Sequence, residues 1–183
     1  MDNIGTLQEQ IAEKQEELGI HQFGFTTTDK LSIHQGVRDL CEMNSCGRYG
    51  NSWACPPAVG TLEECREKLL SYDNIFTYTT KHDLEDSFDF EGMMAGREAH
   101  TRISLEVVKY FQSIYSGDVL ILSGDGCTRC KKCTYPDEPC RFPQEIYPTV
   151  ESYGVEVYAL AKTVHINYIN GKDTVTYFGC VLF

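Results

Sequence analysis

The sequence predicts an α/β (α+β) fold, a mixed β-sheet flanked by helices with cysteine-rich loops. Three observations point there. Amphipathic helical stretches alternate with β-rich runs in the first half, and two β-rich runs around Asn170 and Gly171 read as a closing hairpin. The segments that carry most of the cysteines are broken by glycine and proline, which places them in loops. With no internal repeat and no low-complexity linker, residues 1–183 read as a single domain.

Leu7, Ile11 and Leu18 recur at helical spacing, giving an amphipathic helix from about 6 to 19 that ends at Gly19. A short strand follows from Gln22 to Thr27. Thr61 and Glu64 form a T-x-x-E capping box, after which Leu62, Cys65, Leu69 and Leu70 line one helix face to about Ser71. The run from Asn74 to Thr80 is a strand. Between Asp83 and Glu91 five carboxylates stand without a balancing base, which describes a solvated loop or an acidic docking surface. Ile103, Val107, Tyr110, Phe111 and Ile114 share a stripe on the longest helix, about 93 to 116, stopped by Gly117. Asp118 to Leu122 is a buried strand, Pro148 to Tyr153 a short helix closed by Gly154, and strands at about 155–169 and 174–183 end the chain.

Hydrophobic residues make up 42% of the chain, enough for a core without disulfides. The formal charge is −11, which argues against nucleic acid or an anionic membrane as partner, since both need a basic face. The first 30 residues lack a basic stretch followed by an apolar one, and no apolar run is long enough to span a bilayer. A cytoplasmic protein is expected. Nine cysteines are the abnormal count, and an odd number without a leader fits reduced thiols better than a disulfide framework.

Cys127, Cys130 and Cys133 form a C-x2-C-x2-C run, and Cys140 follows after six residues. Each two-residue gap lets the backbone turn and present the next sulfur from another side, while Pro136 and Pro139 stiffen the return to Cys140. Four thiolates from one short loop are a ligand set for a [4Fe–4S] cluster. Zinc is the alternative, although four-cysteine zinc sites usually join two separated pairs, and the middle thiol of a tight triple crowds a single tetrahedral ion. The spacing departs from that of ferredoxins, which place three residues and then Cys-Pro where this chain has six and then Cys140-Arg141.

A second group, Cys41, Cys46 and Cys55, has looser spacing within CEMNSCGRYGNSWACPP. Gly47, Gly50 and Pro56-Pro57 place it in a loop, where sulfurs are free to converge on a second metal; packed thiols beside Tyr49 and Trp53 are the plainer reading. Three such ligands leave one position for solvent, a substrate, Cys65 or a cysteine of the other group. Cys65 shares an apolar helix stripe and Cys180 lies in a strand, so both read as core residues.

From Cys127 to Arg141, four cations face Asp137 and Glu138, leaving +2 locally and −13 on the remainder. Cations beside thiolates lower their pKa and offset the charge of a thiolate-bound metal; they also suit an anionic substrate or an acidic partner. His21, His34, His82, His100 and His165 show no paired metal spacing, and no phosphate-binding glycine motif is present.

In two blocks the chain resembles a widespread prokaryotic family of predicted metal-binding proteins, a domain of unknown function. The first runs from Cys46-Gly47 through Tyr49-Gly50 and Trp53 to Cys55-Pro56-Pro57. The second runs from Gly124-Asp125-Gly126-Cys127 through Cys130, Cys133, Pro139-Cys140-Arg141 and Pro143 to Glu151-Ser152-Tyr153-Gly154-Val155. The resemblance implies metal binding by these cysteines, as iron–sulfur in anaerobic bacteria or archaea, and supports Cys41, Cys46 and Cys55 as a set. It supplies no reaction.

Two functional classes follow. One is an iron–sulfur protein with a closed cluster on Cys127, Cys130, Cys133 and Cys140, whose task is electron transfer with a basic redox partner docking on the acidic surface. In its enzymatic form, a second cluster on Cys41, Cys46 and Cys55 keeps one iron open as a Lewis acid for a small-molecule substrate near Arg48, Tyr49 and Trp53. The other is a zinc-binding structural or interaction module without a redox role.

Overall fold

A computed structural model describes residues 4–183; the first three residues of the stretch read for a leader lie outside it. Helices α1 (Ile4–Lys14), α2 (Gln35–Glu42), α3 (Leu62–Leu70), α4 (Phe90–Ile114) and α5 (Val157–Thr163) surround strands β1 (Gln22–Thr27), β2 (Asn74–Asp83), β3 (Leu120–Leu122) and β4 (Thr174–Leu182). The α+β class stands. The mixed sheet does not: the order is β1-β2-β4-β3 and every strand pair is antiparallel.

Strand periodicity explains the layering. On β4, Phe178, Cys180 and Leu182 face one core while Val181, with Phe183 just past the strand, faces the other; on β2, Ile75 joins the first and Phe76 and Tyr78 the second. One face carries Cys65 and Leu69 of α3 and Leu160 and Ala161 of α5. The opposite face carries Leu7 and Ile11 of α1 and Val107, Val108 and Phe111 of α4. Phe76 and Phe111 stack at 5.5 Å between centroids, fixing α4 against the sheet centre.

Local signals set most boundaries. Both halves of the capping box are made, Glu64 N–H donating to Thr61 Oγ1 at 3.2 Å and Thr61 N–H to Glu64 Oε2 at 2.7 Å. Helix α4 starts three residues earlier than its apolar stripe suggests, because Asp89 caps it by accepting from Gly92 N at 2.8 Å. The rest of the acidic stretch is solvated, with Phe88 91% exposed. Helix α1 ends at Lys14, and turns carry the chain to Gly19, whose φ of +73° is left-handed.

The strand expected over 155–169 is instead α5. Leu160, Ala161 and Val164 are buried at helical spacing, and packing of that face on the sheet overrides the β propensity of Val157, Tyr158 and Thr163. Without that strand there is no hairpin at Asn170-Gly171. Strand β4 enters the middle of the sheet between β2 and β3, which makes the pairing antiparallel throughout.

The loop after β3 has a fixed neck. Ser123 N–H donates to the Pro148 carbonyl at 2.7 Å, and Val150 N–H donates to the Ser123 carbonyl at 3.1 Å. The excursion from Gly124 to Tyr147 leaves and rejoins the body at one point, carrying Cys127, Cys130, Cys133 and Cys140 with it.

Candidate metal centre

At the start of the excursion a Cβ on Gly124 would run into the Phe178 carbonyl, and Gly126 takes a φ of +55°. These two glycines let the chain leave β3 tightly against β4. Arg97 of α4 forms an ion pair with Asp125, anchoring the same point from the helix side. Beyond it, the segment from Cys127 to Cys140 contains no helix or strand.

The first cysteine segment reaches across to hold this loop. Arg48 Nη1 donates to the Cys127 carbonyl at 2.7 Å, Trp53 Nε1 donates to the Glu138 carbonyl at 3.2 Å, and the Trp53 and Tyr135 rings meet edge-on at 4.9 Å. Within the loop, Arg141 Nη1 donates to the Lys132 carbonyl at 3.2 Å and Thr134 Oγ1 to the Pro139 carbonyl at 3.0 Å. Side chains thus supply the order that regular hydrogen bonding does not.

Cys127, Cys130, Cys133 and Cys140 all line one cavity of about 420 Å³, and Cys46 of the first segment lines it too. The four loop thiols are each partly exposed, and all nine cysteines are free. Phe142 N–H donates to Cys140 Sγ at 3.4 Å. Arg129, Lys131, Lys132 and Arg141 stand around the same space. Arg129 is paired with Glu145 at 2.6 Å, whereas Lys131 and Lys132 have no carboxylate at ion-pair distance among the described residues. The cavity is therefore a basic recess on an acidic protein. No three His, Cys, Asp or Glu side chains among the described residues stand as the ligand set of a single ion.

The second group is placed differently from its sequence expectation. Cys41 is not in a loop but in the last turn of α2, where it is half-buried; Cys46 is exposed in the turns that follow; Cys55 is buried. The thiol pKa values of Cys41 and Cys55 are both raised above the ordinary value. Burial is the main cause at each, pushing Cys55 up to about 11 against the pull of a Ser52 hydrogen bond and Arg48. Glu151 adds to the rise at Cys41, and its own carboxyl is pushed up by burial.

Cys65 and Cys180 lie in the core, 1% and 0% exposed. Sequence reading missed Arg38 of α2, buried beside Cys65: its guanidinium donates to the Ser152 carbonyl at 2.9 Å and the Gly60 carbonyl at 2.8 Å. Nothing in the local pattern of α2 marks that arginine as an inward one. Arg48 and Trp53 lay inside a noticed motif, but their partners are 79 and 85 residues away and invisible to spacing.

Three solved structures of epoxyqueuosine reductase are similar to this chain. One is a selenomethionine-labelled form, matched at 14% identity and TM-score 0.47 over 98% of this chain and 46% of that one. Another, from Bacillus subtilis, matches at 13% identity and TM-score 0.47 over 98% and 45%. The third, with an epoxyqueuosine-modified tRNA stem loop, matches at 13% identity and TM-score 0.44 over 98% and 46%. The chain thus spans just under half the length of each. No curated protein matches it significantly. A family model described as "Predicted metal-binding protein (DUF2284)" matches residues 25–183, which takes in both cysteine groups and every contact that ties them together. The chain belongs to that metal-binding family.

Proposed function

We propose that this is an electron-transfer protein whose Cys127, Cys130, Cys133 and Cys140 hold one [4Fe–4S] cluster. The observation that carries the reading is the convergence of those four thiols on one cavity at the end of a necked, side-chain-braced loop. When bound, the cluster takes up and releases one electron, and four protein thiolates leave it coordinatively closed. The chain's own groups suit that task. Lys131 and Lys132 offset the negative charge of a thiolate-ligated cluster, Phe142 N–H gives the Cys140 sulfur a hydrogen bond, and Trp53 and Tyr135 form one wall of the recess.

In this reading Cys41, Cys46 and Cys55 act as a second thiol set, of which Cys46 lines the first recess. A metal held there by three thiols keeps a position for a small-molecule substrate, the enzymatic form of the same reading. Nine free thiols suit a reducing compartment such as the cytoplasm, and the acidic body suits a basic redox partner. Among the described residues no helix is long and apolar enough to cross a membrane.

The test is electron paramagnetic resonance of anaerobically reconstituted, reduced protein, with Cys130→Ser and Cys46→Ser alongside. A cluster signal lost in Cys130→Ser and kept in Cys46→Ser supports the assignment. The same signal in Cys130→Ser as in the parent sinks it.

A further inference from the structure

A second cavity, about 560 Å³, lies between α4 and the start of the cluster loop. That volume falls in the range of small-molecule sites. Leu105, Val108 and Ile121 give it an apolar wall, and Tyr78, His100 and Ser104 place polar groups on it. Cys127 and Arg129 line both this cavity and the thiol recess, so the two share a wall.

The charge state of the lining selects the ligand. Each charged lining group already has a partner: Arg129 pairs with Glu145, and Asp125 pairs with Arg97. His100 is held neutral, its pKa lowered to about 4 by burial and by His82. No fixed charge is left over for an ionic ligand, whereas hydroxyls and a neutral imidazole suit carbonyl oxygens.

His100 also ends a path to solvent. Ser104 Oγ is 3.3 Å from His100 Nε2; Thr80 Oγ1 is 2.9 Å from His100 Nδ1 and 3.0 Å from the Nε2 of half-buried His82. A hydroxyl between two ring nitrogens can accept a proton from one and donate to the other. A closed cluster delivers electrons singly, so an acceptor beside it must hold an odd electron, which a conjugated ring with carbonyls does.

We propose that this cavity binds an uncharged quinone-type carbonyl compound and that His100 protonates it as electrons arrive from the cluster, an inference that rests on the iron–sulfur reading above. Two electrons, each from one oxidation of a reduced cluster, and two protons, passed from water through His82 and Thr80 to His100, convert the quinone to a hydroquinone. A one-electron donor protein re-reduces the cluster after each step; without one, two reduced chains yield one hydroquinone.

The probe is duroquinone, whose fully methylated ring leaves no position for thiol addition. Iron and sulfide are counted on the anaerobic protein, duroquinone binding is measured by equilibrium dialysis, and reoxidation of dithionite-reduced, desalted protein is followed by visible absorbance. One duroquinone binds per chain, and the reoxidation rate saturates. Ser104→Phe and Leu105→Trp, each filling the cavity from α4, weaken binding by about tenfold or more with unchanged far-UV circular dichroism. His100→Gln slows the saturating reoxidation rate on the order of a hundredfold, far more than it weakens binding, because the amide keeps a donor on the wall but cannot relay a proton. Rates that rise linearly with duroquinone and are the same in both cavity-filling variants overturn the proposal. Duroquinone bound by a protein without iron or sulfide refutes the cluster reading and the proton-coupled step while leaving the ligand site in place.

Discussion

Arg48 donates from Nη1 to the carbonyl of Cys127 at 2.7 Å, joining the two cysteine segments across 79 residues. The bond falls on the first cysteine of the run, where the loop leaves Gly126, and a Cβ on Gly126 would stand 3.2 Å from Arg48 Cδ. One segment therefore acts as a brace for the other, which gives the Cys46–Pro57 motif a role even apart from its own thiols.

Arg48→Ala removes a charged hydrogen bond at a half-buried site, costing about 1–3 kcal/mol. Urea unfolding reads that loss as a lower midpoint with unchanged slope. The reconstituted variant also gives up its iron to a chelator faster than the parent, which a brace predicts and a purely surface arginine does not.

Trp53 is the chain's one tryptophan and lines the thiol recess. Its emission falls when the protein is reconstituted with iron and sulfide, because a coloured cluster beside the indole quenches it. Emission unchanged between metal-free and reconstituted protein contradicts the placement. Trp53→Phe keeps the edge contact with Tyr135 and loses the bond to Glu138, costing about 1 kcal/mol.

Cys180→Ala and Cys65→Ala separate core thiols from ligating ones. Cys180 is fully buried, its pKa pushed up to about 12 by that burial. Both variants lower stability by roughly 1–2 kcal/mol and leave iron per chain unchanged. Cys133→Ser does the reverse, losing metal at little cost to the metal-free fold.

His100 makes stability depend on pH. Its folded pKa is about 4 against an ordinary 6.5, so between those values the unfolded chain binds more protons than the folded one. Stability is full above pH 6.5 and is lost as pH falls toward 4. From pH 7.5 to 5 the loss from this group is about 2 kcal/mol. Burial is the main cause, with the Tyr78 and Tyr177 rings stacked on His100 at 6.1 and 5.6 Å; His82 adds to it, and a backbone hydrogen bond to Phe178 opposes it. Urea midpoints at the two pH values show the fall in the parent, and it shrinks in His100→Gln.

What was legible in the sequence is what short-range chemistry decides. The Thr61–Glu64 box, the Leu7 and Ile11 stripe and the β-rich run of β2 each carry their signal within a turn or a strand. The 155–169 segment failed because Val, Tyr and Thr suit a strand until Leu160 and Val164 are seen to share a buried face. Sheet direction failed with it, since the place of β4 between β2 and β3 is a long-range fact. The C-x2-C-x2-C run reads as a metal-ligand set and its thiols line one cavity, but Cys41 was misplaced because α2 is only eight residues long, buries Arg38 rather than an apolar residue, and runs straight into a loop-like sequence. Arg38, Ser123 and the Arg97–Asp125 pair were unreadable for the same reason as Arg48: their partners are distant in the chain.

A cubane on the four loop thiols fixes the metal content of the protein. Iron, acid-labile sulfide and zinc per chain, measured on protein expressed with iron and purified without oxygen, test it most directly. The expected result is a brown protein with about four irons and four sulfides on the Cys127 loop, rising toward eight of each when Cys41, Cys46 and Cys55 hold a second cluster. A colourless protein with stoichiometric zinc and no sulfide, even after anaerobic reconstitution, contradicts it.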